Sequence, residues 1–140
     1  MEISTGYFAK AKLYHEFGYA LVSIAKVPPW FLDKDLVIHS LPELAPTEEI
    51  LALKDKPEGY EDRYRSEILS KASGMVIYNR LASIAKQMNT DRVVLLCYEA
   101  PEKFCHRHIV ARWLEDCLGQ LVLETHIEPK RVPSLFDSDV

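Results

Sequence analysis

Arg92-Val93-Val94-Leu95-Leu96-Cys97-Tyr98-Glu99-Ala100-Pro101-Glu102-Lys103-Phe104-Cys105-His106-Arg107 is the stretch that decides the fold. Arg92 to Cys97 is a β-branched and leucine run of the kind that parallel sheets bury on both faces. It empties into a short acidic turn containing a proline. A helix is expected from Phe104 to Leu118, ended by Gly119. Leu121 to Ile127 reads as a further strand, which completes a strand–helix–strand unit with a right-handed crossover.

Working outward, Ile77, Leu81, Ile84 and Met88 recur at spacings of 4, 3 and 4, the apolar stripe of a helix, closed by Asn89-Thr90-Asp91. Tyr60, Tyr64 and Ile68 repeat every four residues and predict another. Thr47 followed by Glu48 and Glu49 looks like an N-cap with first-turn acids, so a helix is expected from Glu48 to about Lys54. Nearer the N-terminus, Glu2 to Ser4 is a short strand closed by Thr5-Gly6, and Tyr7 to Phe17 a helix ended by Gly18. Tyr19 to Ala25 is an apolar strand stopped by Pro28-Pro29. Leu36-Val37-Ile38 is a third short strand. The pattern predicts one three-layer α/β domain over residues 1–128, Rossmann-like, with a small, mostly parallel sheet flanked by helices. An exposed tail is expected over residues 129–140.

The bulk properties exclude several classes. At 140 residues, 48% hydrophobic and 27% charged, the chain has the composition of a globular domain. No apolar run approaches the roughly 20 residues that span a bilayer. Met1-Glu2-Ile3-Ser4-Thr5 lacks the basic and apolar regions of a signal peptide, so a cytoplasmic protein is expected. A net charge of −4 with scattered lysines and arginines disfavours nucleic acid as a partner. Three cysteines in such a chain are expected to be reduced: each is core filler, ligand or reactive thiol.

Ligands of open α/β sheets bind beyond the carboxyl ends of strands, and helix N-termini attract anions. Cys105, His106 and Arg107 fall at such a point. Helix phase continues the rows Ile109–Trp113–Cys117 and Val110–Leu114–Leu118 back to Cys105 and His106, so both face inward, whereas His108 falls on the polar face with Arg112. A thiol beside a helix N-terminus and Arg107 has its thiolate favoured, which makes Cys105 a candidate nucleophile; Glu99, Glu102 and the inward phase oppose this and fit a packing role. An arginine in a first helical turn asks for a local anion. That anion is Glu99, Glu102 or a bound carboxylate or phosphate. Glu99 is a candidate acid or base, or Arg107's partner. Tyr60, Tyr64 and Tyr78 read first as core or rim aromatics.

Two alternatives fit the spacing poorly. A phosphatase loop needs cysteine, five residues and arginine; the sixth position after Cys97 is Lys103, and Arg112 comes one position too late for Cys105. Cys97, Cys105 and His106 offer soft and borderline metal ligands. No pair has zinc-knuckle spacing, however, and adjacent helical residues diverge by about 100°, so no metal is expected.

Leu95-Leu96-Cys97-Tyr98-Glu99 followed by Phe104-Cys105-His106-Arg107 resembles the signature of domain of unknown function family 488, found in bacterial, archaeal and phage proteins. Ser4-Thr5-Gly6-Tyr7, Ser23-Ile24-Ala25-Lys26 before Pro28-Pro29-Trp30, Leu44-Ala45-Pro46 and the Tyr60 to Tyr64 segment extend the similarity from about Ile3 to Glu124. The commonest members carry glycine-histidine-serine after the first strand, where this chain has Thr5-Gly6-Tyr7. Their aspartate-x-arginine run is replaced by Ser23-Ile24-Ala25-Lys26, with Lys26 as the stand-in. The resemblance implies a compact α/β fold and names no reaction.

Together these readings predict a small enzyme acting on a nucleotide-like or other anionic ligand, its cofactor unspecified. Glu99, Cys105 and His106 are the candidate catalytic residues, and Arg107, Thr5, Tyr7, Lys26 and Tyr64 the candidate ligand-binding ones. The rival expectation is a non-catalytic ligand-sensing or protein-binding module in which Cys105-His106-Arg107 is an internal staple.

Overall fold

The computed structural model describes residues 1–99 and 104–127. Within them, β1 (Glu2–Tyr7), β2 (Ala20–Ser23), β3 (Ile38–Ser40), β4 (Arg92–Cys97) and β5 (Leu123–Glu124) form one sheet in the order β3-β2-β4-β1-β5. Every neighbouring pair is parallel, with Tyr7 opposite Cys97 and Ser23 opposite Leu96. The helices are α1 (Ala11–Glu16), α2 (Glu48–Leu51), α3 (Pro57–Glu67), α4 (Gly74–Gln87) and α5 (His106–Leu118). None of them is long and apolar enough to cross a membrane.

Period-two alternation divides the core into two layers. Val93 and Leu95 pack with Tyr64, Ile77, Leu81, Ile109 and Leu114 under α3, α4 and α5. Val94 and Leu96 face the opposite way, onto Phe8, Ala11, Tyr14 and Leu21 around α1. Val93, Val94, Leu95 and Leu96 are all at 0% exposure. Each such side chain contributes about 2 kcal/mol of burial, so β4 is a rigid central rail for whatever follows it. The fold is a three-layer α/β sandwich with an all-parallel sheet.

Some boundaries differ from the sequence reading, for physical reasons. Gly6 does not end β1. The strand runs on to Tyr7, and a Cβ at Gly6 would meet the Tyr14 ring and hydroxyl at 2.6–2.7 Å, so the glycine serves a close approach rather than a turn. The predicted first helix begins as a 3-10 turn at Phe8–Lys10 before α1. Thr47 caps α2 by accepting from the Ile50 N–H, but only one turn forms. The last strand shrinks to Leu123–Glu124, because it pairs only with Ser4 and Thr5 at the sheet edge and leaves Leu121 and Leu123 exposed. α5 starts at His106 and ends at Gly119, whose φ of 68° is the left-handed cap conformation glycine adopts freely. The predicted tail, 129–140, lies outside the described residues, as do Glu102 and Lys103.

Connectivity fixes where a ligand crevice belongs. The chain leaves β2 outward to β3, whereas it leaves β4 through α5 toward β5 on the other side. Adjacent β2 and β4 therefore diverge at their carboxyl ends, which is the topological switch point of an open α/β sheet.

Candidate active site at the switch point

A cleft of about 380 Å³ opens there. Ala25, Lys26 and Val27 line it from the end of β2, and Cys97, Tyr98 and Glu99 from the end of β4. Phe104, Cys105 and His106 close it at the entry to α5, with Tyr60 of α3 and Pro46, Leu51 and Lys54 around α2 opposite. The walls are largely apolar and aromatic: the Tyr60 and Phe104 rings meet edge to face at 4.9 Å. The Tyr98 hydroxyl donates to the Val27 carbonyl and ties the two strand exits together. Ammonium groups stand at the rim, where Lys26 pairs with Glu48 at 2.9 Å and Lys54 with Glu99 at 3.6 Å.

The floor is a sulfur–imidazole cluster. Cys97, Cys105 and His106 are 3%, 5% and 4% exposed. Contrary to the expectation of three reduced thiols, Cys97 and Cys105 are bonded as a disulfide, with Cα atoms 7.1 Å apart. The chain leaves the sheet at Cys97 and returns at Cys105 eight residues later, which brings two residues distant in sequence to one spot. Cys117 alone is a free thiol, and it is exposed. Cys105 is not helical: it is the N-cap of α5, with extended φ of −153° and ψ of 147°. The divergence of adjacent helical side chains therefore does not apply to it, and its sulfur approaches the His106 ring.

His106 lies with Nε2 2.7 Å from the Ile24 carbonyl oxygen. A carbonyl only accepts, so Nε2 carries the proton and Nδ1 presents its lone pair. Nδ1 faces Cys97 Sγ at 3.5 Å and Cys105 Sγ at 3.8 Å. Burial pushes the imidazole down to about 4, with the Arg107 charge adding to that and the Ile24 bond opposing it, so it is neutral at pH 7. Tyr64 stands behind this ring, centroids 5.5 Å apart, at 0% exposure, with its hydroxyl donating to the Leu44 carbonyl at 2.5 Å. It supports His106 and does not line the cleft.

Arg107 has an anion inside the chain, and among the described residues that anion is Glu124 rather than the Glu99 carboxylate; Glu102 lies outside the described residues. At 0% exposure Arg107 donates to both carboxylate oxygens of Glu124, from Nε at 3.0 Å and Nη2 at 3.1 Å, and from Nη1 to the Glu99 carbonyl oxygen at 2.5 Å. Thr5 donates its hydroxyl to the same Glu124 at 2.7 Å. Tyr7, at the end of β1, lies with its ring centroid 5.9 Å from the Arg107 guanidinium. Of the residues predicted to bind ligand, Lys26 alone reaches the cleft, while Arg107, Thr5 and Tyr7 form a staple on its β1 side. Glu99, Cys105 and His106 all line it.

The family whose model matches, described as "Active DUF488-N3 subclade", covers residues 11–118. The chain belongs to the DUF488 family. Neither a curated protein nor a solved structure matches it. The DUF488 match encompasses β2, β4, α5 and every residue of the cleft, and stops short of Thr5, Tyr7 and Glu124.

Sequence reasoning missed Glu124 and the cleft roles of Cys97, Lys54, Tyr60 and Phe104. A lone carboxylate within the last strand candidate, one βαβ step from Arg107, was the available signal for the first. Cys97 is the residue at which an apolar strand turns polar.

Chemically, the site offers a half-open, largely apolar cleft, two exposed ammonium groups, a carboxylate, and two sulfurs with a neutral imidazole nitrogen at the floor. It suits a ligand with a flat apolar part and an anionic end.

Proposed function

We propose that the chain is a small enzyme acting on a nucleotide-like or similar anionic ligand bound in the switch-point cleft. The observation that carries this reading is the cleft itself, a largely apolar pocket with convergent reactive groups at the point where open α/β sheets hold ligands. Tyr60, Tyr98 and Phe104 offer faces for a flat ring system. Lys26 and Lys54 offer charge; their exposed ion pairs are each worth about 0–1 kcal/mol, so an incoming anion displaces Glu48 or Glu99 at little cost. Glu99, released from Lys54, is the acid or base, and Cys105 and His106 sit at the reacting end. The description of the matched DUF488 subclade as active supports an enzymatic reading. The net charge of −4 favours a small ligand over a nucleic-acid backbone, and the resemblance to a family of bacterial, archaeal and phage proteins supports a prokaryotic, cytoplasmic setting as part of this proposal.

Calorimetric titration of the reduced protein with a panel of nucleoside mono- and diphosphates tests the reading. Binding of at least one member, weakened in Lys26→Ala/Lys54→Ala, is expected. Turnover of the bound ligand should fall by about 10²-fold or more in Glu99→Gln, the usual contribution of a general acid or base. No binding across the panel, or binding indifferent to both lysines, contradicts it.

The Arg107–Glu124 staple favours a second reading, a ligand-sensing or protein-binding module. It predicts ligand binding without turnover and no effect of Glu99→Gln on any product.

A further inference from the structure

We infer that the reduced chain holds one divalent cation of the zinc class on Cys97 Sγ, Cys105 Sγ and His106 Nδ1, with its fourth position open to the cleft. The three donor atoms lie within 4.8 Å of one another and belong to buried residues. Around a tetrahedral zinc, with Zn–S near 2.3 Å and Zn–N near 2.05 Å, sulfur and nitrogen ligands stand about 3.6 Å apart. The Nδ1-to-sulfur distances of 3.5 and 3.8 Å bracket that value. Once the disulfide is opened, the two sulfurs, carried on Cα atoms 7.1 Å apart, are free to separate to the roughly 3.8 Å that two sulfur ligands of one tetrahedral zinc require.

The surroundings of the imidazole are those of a ligating histidine. Metal-bound histidines donate their other N–H to a carbonyl or carboxylate, which fixes tautomer and ring orientation. His106 does so to the Ile24 carbonyl at 2.7 Å, which leaves the Nδ1 lone pair facing both sulfurs. Because Cys105 is an extended N-cap, its side chain and that of His106 converge on one point although they are neighbours in sequence. Three protein ligands beside an open pocket are the pattern of catalytic rather than structural zinc, whose remaining position takes water or substrate.

Occupancy requires the disulfide to open. A phosphine reductant supplies two electrons and breaks the S–S bond, taking its oxygen from water, whose two protons complete the thiols. Binding of the cation releases both thiol protons to solvent. The disulfide is thus the oxidised, metal-free alternative of the same three residues. The inference goes beyond the enzymatic reading and is read without any organic ligand, so either can fail while the other stands.

The test uses full-length protein reduced with a phosphine, stripped with chelator and titrated with Co²⁺, then Zn²⁺. One equivalent of cobalt should bind with a sulfur-to-metal charge-transfer band and the intense visible bands of four-coordination, and zinc should displace it. Cys97→Ser and Cys105→Ser should weaken binding by about 100-fold or more, beyond what loss of an outer-shell partner costs. Cys117→Ser should leave it unchanged. In the unaltered chain, which keeps the test independent of whether a variant folds, zinc should protect two of the three cysteines from iodoacetamide and leave Cys117 reactive. Absence of the charge-transfer band, or alkylation of all three cysteines at the same rate with and without zinc, overturns the inference.

Discussion

Replacing Arg107 separates a staple from a ligand-binding residue, because the two roles differ in where the energy goes. The guanidinium is fully buried and makes three hydrogen bonds, two of them to a carboxylate that is 13% exposed. Removing one member of such a pair leaves the other charge buried and costs about 3–5 kcal/mol, whereas replacing both with apolar groups is close to neutral. Arg107→Ala should therefore cost about 4 kcal/mol, as should Glu124→Gln, which keeps the shape and strands the cation. Arg107→Met combined with Glu124→Leu should recover most of that loss. A chain of 140 residues has roughly 7–20 kcal/mol to lose, so the single variants fold and remain measurable. With a urea m-value near 2 kcal/mol/M, the midpoint should fall by about 2 M for each single replacement. A double-mutant cycle in urea, under reductant and followed by circular dichroism, should return a coupling larger than either single loss, because the double variant loses far less than the two single losses together. A midpoint shift under about 0.5 M for Arg107→Ala, or zero coupling to Glu124, would refute the staple and return Arg107 to the ligand-binding residues.

Gly6→Ala should destabilise by about 1–3 kcal/mol in a thermal or urea melt, because its Cβ would press on the immobile, fully buried Tyr14 ring; a neutral result would show that the ring yields. In the oxidised, metal-free protein, stability should hold above about pH 6.5 and fall as pH drops toward 4. Burial pushes His106 to about 4 in the fold against 6.5 outside it, so the unfolded chain takes up the proton first, at a cost near 3 kcal/mol once both states are protonated. Urea midpoints at about pH 7 and pH 4.5 should show that component in the native chain and not in His106→Gln. Breaking the disulfide, which closes a loop with sequence separation 8, should lower stability by about 2 kcal/mol on the chain-entropy scale. Equal midpoints with and without a phosphine reductant would count against that contribution.

The sequence disclosed what periodicity encodes. Arg92–Cys97 is β4 residue for residue, the stripe through Ile77, Leu81 and Ile84 is α4, and the inward phase of His106 matches its burial. Less legible were features set by tertiary contact. Gly6 looked like a turn residue because the Tyr14 ring that needs its missing Cβ lies in another element. Arg107 asked for an anion, but nothing local says that the anion arrives from β5 through the crossover. The metal geometry was obscured by one boundary: with Cys105 placed inside the helix its side chain diverges from His106, and as an N-cap it converges. Strand order was equally hidden. Placing β4 between β2 and β1 moves the crevice to the Lys26 side of Cys97 and away from Thr5 and Tyr7.

That relocation is the central claim, and amide chemical-shift mapping of the reduced, isotope-labelled chain tests it most directly. On titration with the tightest-binding nucleotide, shifts should concentrate at Ala25, Lys26, Tyr98, Glu99 and Cys105, around the switch point between β2 and β4. Shifts centred instead on Thr5 and Tyr7, with the Lys26 and Glu99 amides unmoved, would contradict it.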